Sequence, residues 1–172
     1  MNPSVDLPDW IWDLPGFHIP LPIEQVSEFP LLEQCLAVWK RARATGLPAT
    51  LDPVDLPREA IKGVSLLEWS DEVQDWVVRL SSTLLDEKHG RSMRGTSLSD
   101  GFKASDLETV RAETAKIIQS GEPDLRRREF HDPNGRIWSY VRLILPLSSD
   151  GLKQDRYALI FDPETFGQRI GE

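Results

Sequence analysis

The chain has 172 residues, 28 acidic against 20 basic, for a formal net charge of -8. That length suits one domain with a terminal extension rather than two domains and a linker, and the acidic balance disfavours nucleic acid and anionic membranes as partners. Cys35 is the only cysteine, which excludes an intrachain disulfide and a cysteine-built zinc site and fits a reducing, cytoplasmic setting.

Residues 1–27 read as a Pro/Trp-rich arm, in which Pro3, Pro8, Pro15, Pro20 and Pro22 are interspersed with Trp10, Ile11, Trp12, Phe17 and His18. Proline at this density argues against regular helix or sheet. The aromatic side chains gain from burial, so the arm either packs over its own domain or docks on a partner, with Trp10, Trp12 and Phe17 as candidate interface residues. No basic leader with an apolar core precedes it, and no uncharged apolar run is long enough to cross a bilayer, so no membrane association is expected.

An amphipathic helix is predicted within residues 28–46. Ser27 is its expected cap, and Pro30 is tolerated in its first turn. Leu31, Leu32, Cys35, Leu36, Trp39 and Ala42 recur at three- and four-residue intervals on one face. Lys40, Arg41 and Arg43 complement the C-terminal dipole, and Gly46 supplies the stop. Leu32, Leu36 and Trp39 are candidate residues of the same interface as the arm. Cys35 lies on the apolar stripe and reads as a buried small hydrophobe rather than a reactive thiol.

A turn-rich connector over residues 47–57 follows, with Asp55 placed to cap a short helix through Ile61. Gly63 to Trp69 and Gln74 to Ser82 read as a hairpin, Thr83 to Lys88 as a short helix stopped by Gly90, and Ser105 to Glu108 as a capping box opening a longer helix that ends at Gly121. Three strands are then expected, at Leu125–Asp132, Arg136–Leu147 and Gln154–Asp162, joined by turns at Pro133-Asn134-Gly135 and Ser149-Asp150-Gly151. Along the middle strand Ile137, Ser139, Val141, Leu143 and Leu145 alternate with Trp138, Tyr140, Arg142 and Ile144.

Two leading strands, a helical crossover and a three-strand meander imply an α+β sheet with helices on one face. The segment from Leu84 to Asp100 resembles the PAS pattern, in which a short helix ends at glycine and a second glycine precedes a Gly-x-x-Leu-x-Asp element. The run from Val38 to Phe161 is similar to a divergent family of bacterial PAS-like proteins. Its matching pieces are Val38-Trp39-Lys40, Leu47-Pro48, the stretch from Leu51 to Arg58, Arg79-Leu80, Gly90-Arg91, Gly121-Glu122-Pro123 and the run from Leu145 to Ser148. Ser82 stands where an Arg-x-x-Gly-Thr element would place glycine. The resemblance implies a five-stranded antiparallel sheet with a helical crossover on one face, over residues 47–163, preceded by the N-terminal helix and followed by a tail over 164–172. It also implies a sensory role; a small molecule or a protein partner is the expected signal, and the arm and the amphipathic helix are the surfaces expected to pass it on, in a homodimer. It names no ligand or cofactor.

The pocket implied by this fold lies between the sheet and the crossover helices. Its candidate lining is Trp76, Val78, Arg79, Leu84, Leu85, Met93, Leu98, Phe102, Val110, Trp138, Tyr140, Leu143 and Phe161. Arg79 interrupts an apolar strand; pointing inward, it would have to pair with a carboxylate of the crossover or hold an anionic ligand. Arg126 and Arg128 share one strand face, opposite Arg127, and are expected on solvent beside Glu129 and Asp132. His18, His89 and His131 lie in the arm, at a helix end and before a turn; His89 reads as a cation placed against the helix dipole rather than as a ligand. The sequence has no HExxH, GxSxG, P-loop or GxGxxG pattern, and neither catalytic nor metal-ligating residues are expected. Photochemical PAS domains attach flavin through a cysteine in the crossover; Cys35 precedes the whole core. The other reading is an adaptor with a packed core and no ligand.

Overall fold

A computed structural model describes residues 9–102 and 104–170, except the side chains of Asp9 and Ser105. The described strands are β1 (Gly16–Leu21), β2 (Val64–Ser70), β3 (Asp75–Leu80), β4 (Asp124–His131), β5 (Ile137–Leu147), β6 (Arg156–Phe161) and β7 (Gln168–Ile170), and the α-helices are α1 (Pro30–Arg43), α2 (Thr83–His89), α3 (Leu98–Gly101) and α4 (Ala104–Ser120). Among the described residues they form one antiparallel sheet of seven strands, ordered β1-β4-β5-β6-β2-β3, with β7 paired to the start of β5. The last strand of the meander thus returns beside the first strand of the leading hairpin, while α2, α3 and α4 make the crossover.

The arm departs from expectation. Proline does not keep it out of the sheet, because β1 is an edge strand, where a missing N–H can face away from the ladder. Pro20 sits opposite Arg126, and His18 opposite Arg128. Residues at the C-terminal end also join the sheet, Gln168 facing Ser139 in the β7–β5 pairing.

Both faces of the sheet are covered. On the outer face, Leu31, Leu32, Cys35, Leu36 and Trp39 of α1 pack with Leu51, Leu56 and Ala60 of the connector against Leu125, Val141, Leu143, Leu145 and Ile160. Leu32, Leu36 and Trp39, expected at an interface, are therefore core. The apolar stripe of α1 turns inward because the sheet offers it a complementary apolar face, and the Trp39 indole N–H donates to the Pro146 carbonyl at 2.7 Å. Ser27 does not cap this helix: its hydroxyl bonds the Glu24 carbonyl, and Phe29 holds the cap position without a side-chain bond.

The inner face meets the crossover helices. Ser82 caps α2, its hydroxyl accepting from the Leu85 N–H at 3.0 Å, and Gly90 ends the helix at φ 69°, the left-handed region where glycine is free of the Cβ penalty. The loop beyond it pairs with the sheet edge: Gly95 N–H donates to Val78 O at 2.7 Å and Val78 N–H to Thr96 O at 3.0 Å. Asp75 ties the start of β3 to both later helices by accepting from the Ser99 N–H at 3.0 Å and from Arg111 Nη2 at 3.1 Å. The capping box at the head of α4 falls on Ser105, whose side chain lies outside the described residues.

Candidate functional site

A cavity of about 50 Å³ lies between the inner sheet face and the crossover helices. A water needs roughly 10–15 Å³ on such a measure, so the space admits a small molecule's worth of atoms. Eight of the expected residues line it: Val78, Leu85, Met93, Leu98, Phe102, Val110, Tyr140 and Phe161. Trp76 and Leu84 belong to the same apolar cluster without reaching the cavity. Trp138 is buried further along β5, edge-on to Trp10 with 5.3 Å between ring centroids.

Two placements differ from expectation for a definite reason. Leu143 faces the outer core, because the two-residue period that sends Tyr140, Arg142 and Ile144 inward sends Leu143 the other way. Arg79 is exposed; it stands near the end of β3, where the strand leaves the core, and takes no part in the cavity. The buried arginines lie elsewhere.

The missed residues include apolar ones, Leu67, Ile144 and Leu159, and a set of ionisable ones. His18, Lys88, Glu113, Arg128 and Arg142 all line the cavity. His18 Nδ1–H donates to Glu113 Oε2 at 2.9 Å, and the same carboxylate meets Arg126 Nη1 at 3.4 Å and Arg142 Nη2 at 3.5 Å. Arg142 also reaches Asp124 Oδ2 at 2.9 Å, and Arg126 Nε reaches it at 2.8 Å. Two guanidiniums thus face two carboxylates, with β1, α4, β4 and β5 joined through them. Burial by itself would raise the Glu113 carboxyl, but the His18 bond and the charges of His18, Arg126 and Arg142 outweigh it and hold the pKa below the ordinary value.

Lys88 and Arg128 stand apart from that balanced set. The Lys88 ammonium donates to the Tyr140 hydroxyl at 3.1 Å and is surrounded by the rings of Tyr140, Phe102, Phe130 and Phe161, with 5.4 to 6.0 Å to their centroids. Burial lowers its pKa, an effect only partly offset by Tyr140. The Arg128 side chain, expected on solvent, belongs to a residue only 4% exposed, and its Nε has no hydrogen-bond partner among the described residues. Its guanidinium carbon sits 5.4 Å from the centre of the Phe130 ring. A second, more open cleft of about 150 Å³ adjoins the cavity at Lys88, Phe102 and Arg128 and is also lined by Trp12, Asp13, His89 and Asp106. In that cleft burial pushes the His89 pKa down to about 4, with the charges of Lys88 and Arg91 acting the same way; the ring is neutral, not a cation on the helix dipole.

The signals for these residues were present in the sequence. Lys88 follows Leu84 at the four-residue spacing that puts side chains on one helix face. Arg128 shares its strand face with Phe130, an apolar marker of the inner side.

The combination of a leading hairpin, a helical crossover and a meander whose last strand closes against the first decides the architecture. The fold is PAS-like. No protein-family model matches the sequence, and neither does any curated protein. Among solved structures, the PAS-like chain is similar to the LOV protein of Rhodobacter sphaeroides, at 13% identity over 58% of this chain and 57% of that one, with a TM-score of 0.39. A fungal LOV domain photoreceptor shows 20% identity over 74% of this chain and 88% of its own, with a TM-score of 0.40. The PAS domain of an HTR-like protein from Haloarcula marismortui shows 18% identity over 60% of this chain and 91% of its own, with a TM-score of 0.34. The chain thus spans little more than half the length of the Rhodobacter protein it resembles.

Among the described residues no group of three or more His, Cys, Asp or Glu side chains is placed to hold a metal ion. No described helix is long and apolar enough to cross a membrane.

Proposed function

We propose that this chain is a non-catalytic sensory or regulatory domain that binds a small molecule inside the PAS-like fold and passes the signal through contacts with a second copy or a protein partner. The observation that carries the reading is the cavity between sheet and crossover, walled by apolar side chains and a few convergent polar groups, the usual make-up of a ligand site. A ligand there touches α2, α4 and the sheet at once, so its arrival would bias how the helices sit on the sheet. The outlet is proposed at the arm, where Trp10 is 48% and Phe17 50% exposed, because exposed aromatic side chains mark contact surfaces. The acidic net charge argues for a protein rather than a nucleic acid as the partner, and the single buried cysteine suits the cytoplasm.

Native mass spectrometry of freshly purified protein tests the ligand: a retained small molecule is the expected result, and an empty protein that no compound stabilises would end the reading. Light scattering after size exclusion tests the outlet. A dimer that dissociates when Trp10 and Phe17 are both replaced by serine is expected; a monomer at every concentration removes the homodimer. The adaptor reading, with a packed, ligand-free interior, draws on the small size of the cavity and gains if the protein proves empty.

A further inference from the structure

One side chain of the cavity wall is only half satisfied. His18 lines the cavity from β1, and 9% of its side chain is exposed. Its Nδ1 is committed to Glu113 Oε2 at 2.9 Å, whereas Nε2 is sealed from solvent and has no hydrogen-bond partner among the described residues. Buried polar atoms are nearly always hydrogen-bonded, and one that is not costs the fold the hydration it has lost. The ring has no easy way to mend this. Turning it over would give up the Glu113 bond, and that carboxylate is itself pinned by Arg126 at 3.4 Å and Arg142 at 3.5 Å. The backbone of His18 is fixed as well, by its place opposite Arg128 in the β1–β4 ladder.

Charge and tautomer define what Nε2 can meet. A carboxylate only accepts, so Nδ1 carries the hydrogen of the Glu113 bond, and in the neutral ring Nε2 is left as a bare acceptor. Glu113 and Asp124 already face the two guanidiniums of Arg126 and Arg142. A neutral imidazole keeps that set balanced, whereas a charged one adds a buried cation to it.

We infer that the cavity takes a small uncharged molecule whose hydroxyl or N–H donates to His18 Nε2, its apolar body laid against Leu67, Val110, Ile144 and Phe161. The inference rests on the cavity being a ligand site and adds the polar group that the ligand carries. A donor satisfies the nitrogen; an ether or hydrocarbon of the same size leaves it bare. The cavity of about 50 Å³ holds roughly three to five waters' worth of atoms, which suits a five-membered ring or a small branched alcohol. Because His18 belongs to β1, the same bond ties the ligand to the arm.

Pyrrole and furan make a matched pair for the test, being aromatic five-membered rings of nearly equal size of which only pyrrole has an N–H. Each is titrated into the whole chain at about pH 8, where an ordinary imidazole is neutral, and followed by thermal shift and NMR. Pyrrole is expected to bind saturably and about tenfold more tightly than furan, the order of one hydrogen bond closed away from water. It should also move the His18 Nε2 nitrogen resonance, which furan should leave in place. His18→Asn puts an amide N–H where Nδ1 stood and nothing where Nε2 stood, so the Glu113 bond is kept and the preference for pyrrole should vanish. A variant that retains the preference overturns the proposal, as does wild-type protein that binds furan as tightly as pyrrole; the cavity then remains a ligand site. The wild-type ring decides even where the variant is unstable, since an Nε2 resonance unmoved by bound pyrrole also overturns the proposal. If neither ring binds and no molecule is retained from expression, the ligand reading falls with it.

Discussion

At Gly63 the 3-10 turn before β2 passes so close to β6 that an added Cβ would lie 2.0 Å from the Phe161 carbonyl oxygen. The obstacle is backbone, which cannot swing aside as a flexible side chain would. Gly63→Ala is therefore expected to lower stability by about 2–4 kcal/mol, in the range of strain and overpacking in a core, measured as a lower urea midpoint with an unchanged slope. Cys35 supplies the opposite kind of residue, one that should do nothing. Burial, with the charge of Asp162 adding to it, pushes its thiol up to about 12, and only the thiolate is reactive. The native protein at neutral pH should give no colour with a disulfide reagent over minutes, and one equivalent once denatured; fast native labelling would contradict its place under α1. Arg79 and Arg128 make a related contrast. Arg79 interrupts an apolar strand but stands where β3 leaves the core, whereas Arg128, in a charged strand, stands between Arg126 and Phe130 on the face that α4 covers, so strand position decided which one is buried.

Among the elements, α1 was legible as a helix and misread as a surface. Its stripe, its first-turn proline and its basic last turn follow local rules of spacing and dipole. The same stripe would serve equally for a partner or for the outer face of its own sheet, and local sequence does not separate these. The Trp39 indole bond to Pro146 O marks the intramolecular answer. Trp39→Phe keeps most of the apolar area and loses that bond; it should cost about 1–2 kcal/mol through the carbonyl left unsatisfied in the core, read from the urea midpoint. Were α1 a docking helix, the substitution would weaken association and leave the fold untouched. β1 was missed for the converse reason. Proline counts against strands in general, but an edge strand needs only one of its two rows of backbone groups, and being at the edge is a property of the sheet, not of the segment. The hairpin, α2 and the meander were legible because a polar turn, the glycine that stops α2, the turn glycines of the meander and period-two alternation are all local.

For the molecule as a whole, several groups make acid unfavourable together. His89 is held at about 4 against a usual 6.5, so the folded state binds fewer protons than the unfolded chain between those values, and the stability present above 6.5 is lost as pH falls through that window. The Glu113 carboxyl, held below its usual 4.5, contributes stability above that value and loses it as pH drops further. Asp162 acts in the opposite sense: burial raises its carboxyl, so its contribution is greatest in acid and is lost as pH rises through the raised value. The expected result is a Tm that declines from neutral pH toward pH 4, with His89→Gln flattening the part between 6.5 and 4; a flat profile in the wild type would show the His89 ring to be solvated. The same scale explains which parts of the site were readable. Eight apolar lining residues were named from the crossover and the alternating strands, because apolarity and periodicity travel together along a chain. The polar groups His18, Lys88, Glu113, Arg128 and Arg142 come from β1, α2, α4, β4 and β5, and no spacing within one segment records that they meet. Length, charge, the lone cysteine and the order of strands and helices are properties of the chain read one segment at a time; the order gives an α+β sheet with a helical crossover, and the resemblance of its motifs implies the PAS-like arrangement. Which face of the sheet α1 covers, which arginine is buried, and that Lys88 and Arg128 meet at one cavity depend on distances between segments far apart in sequence, set only when the sheet closes and the helices pack on it.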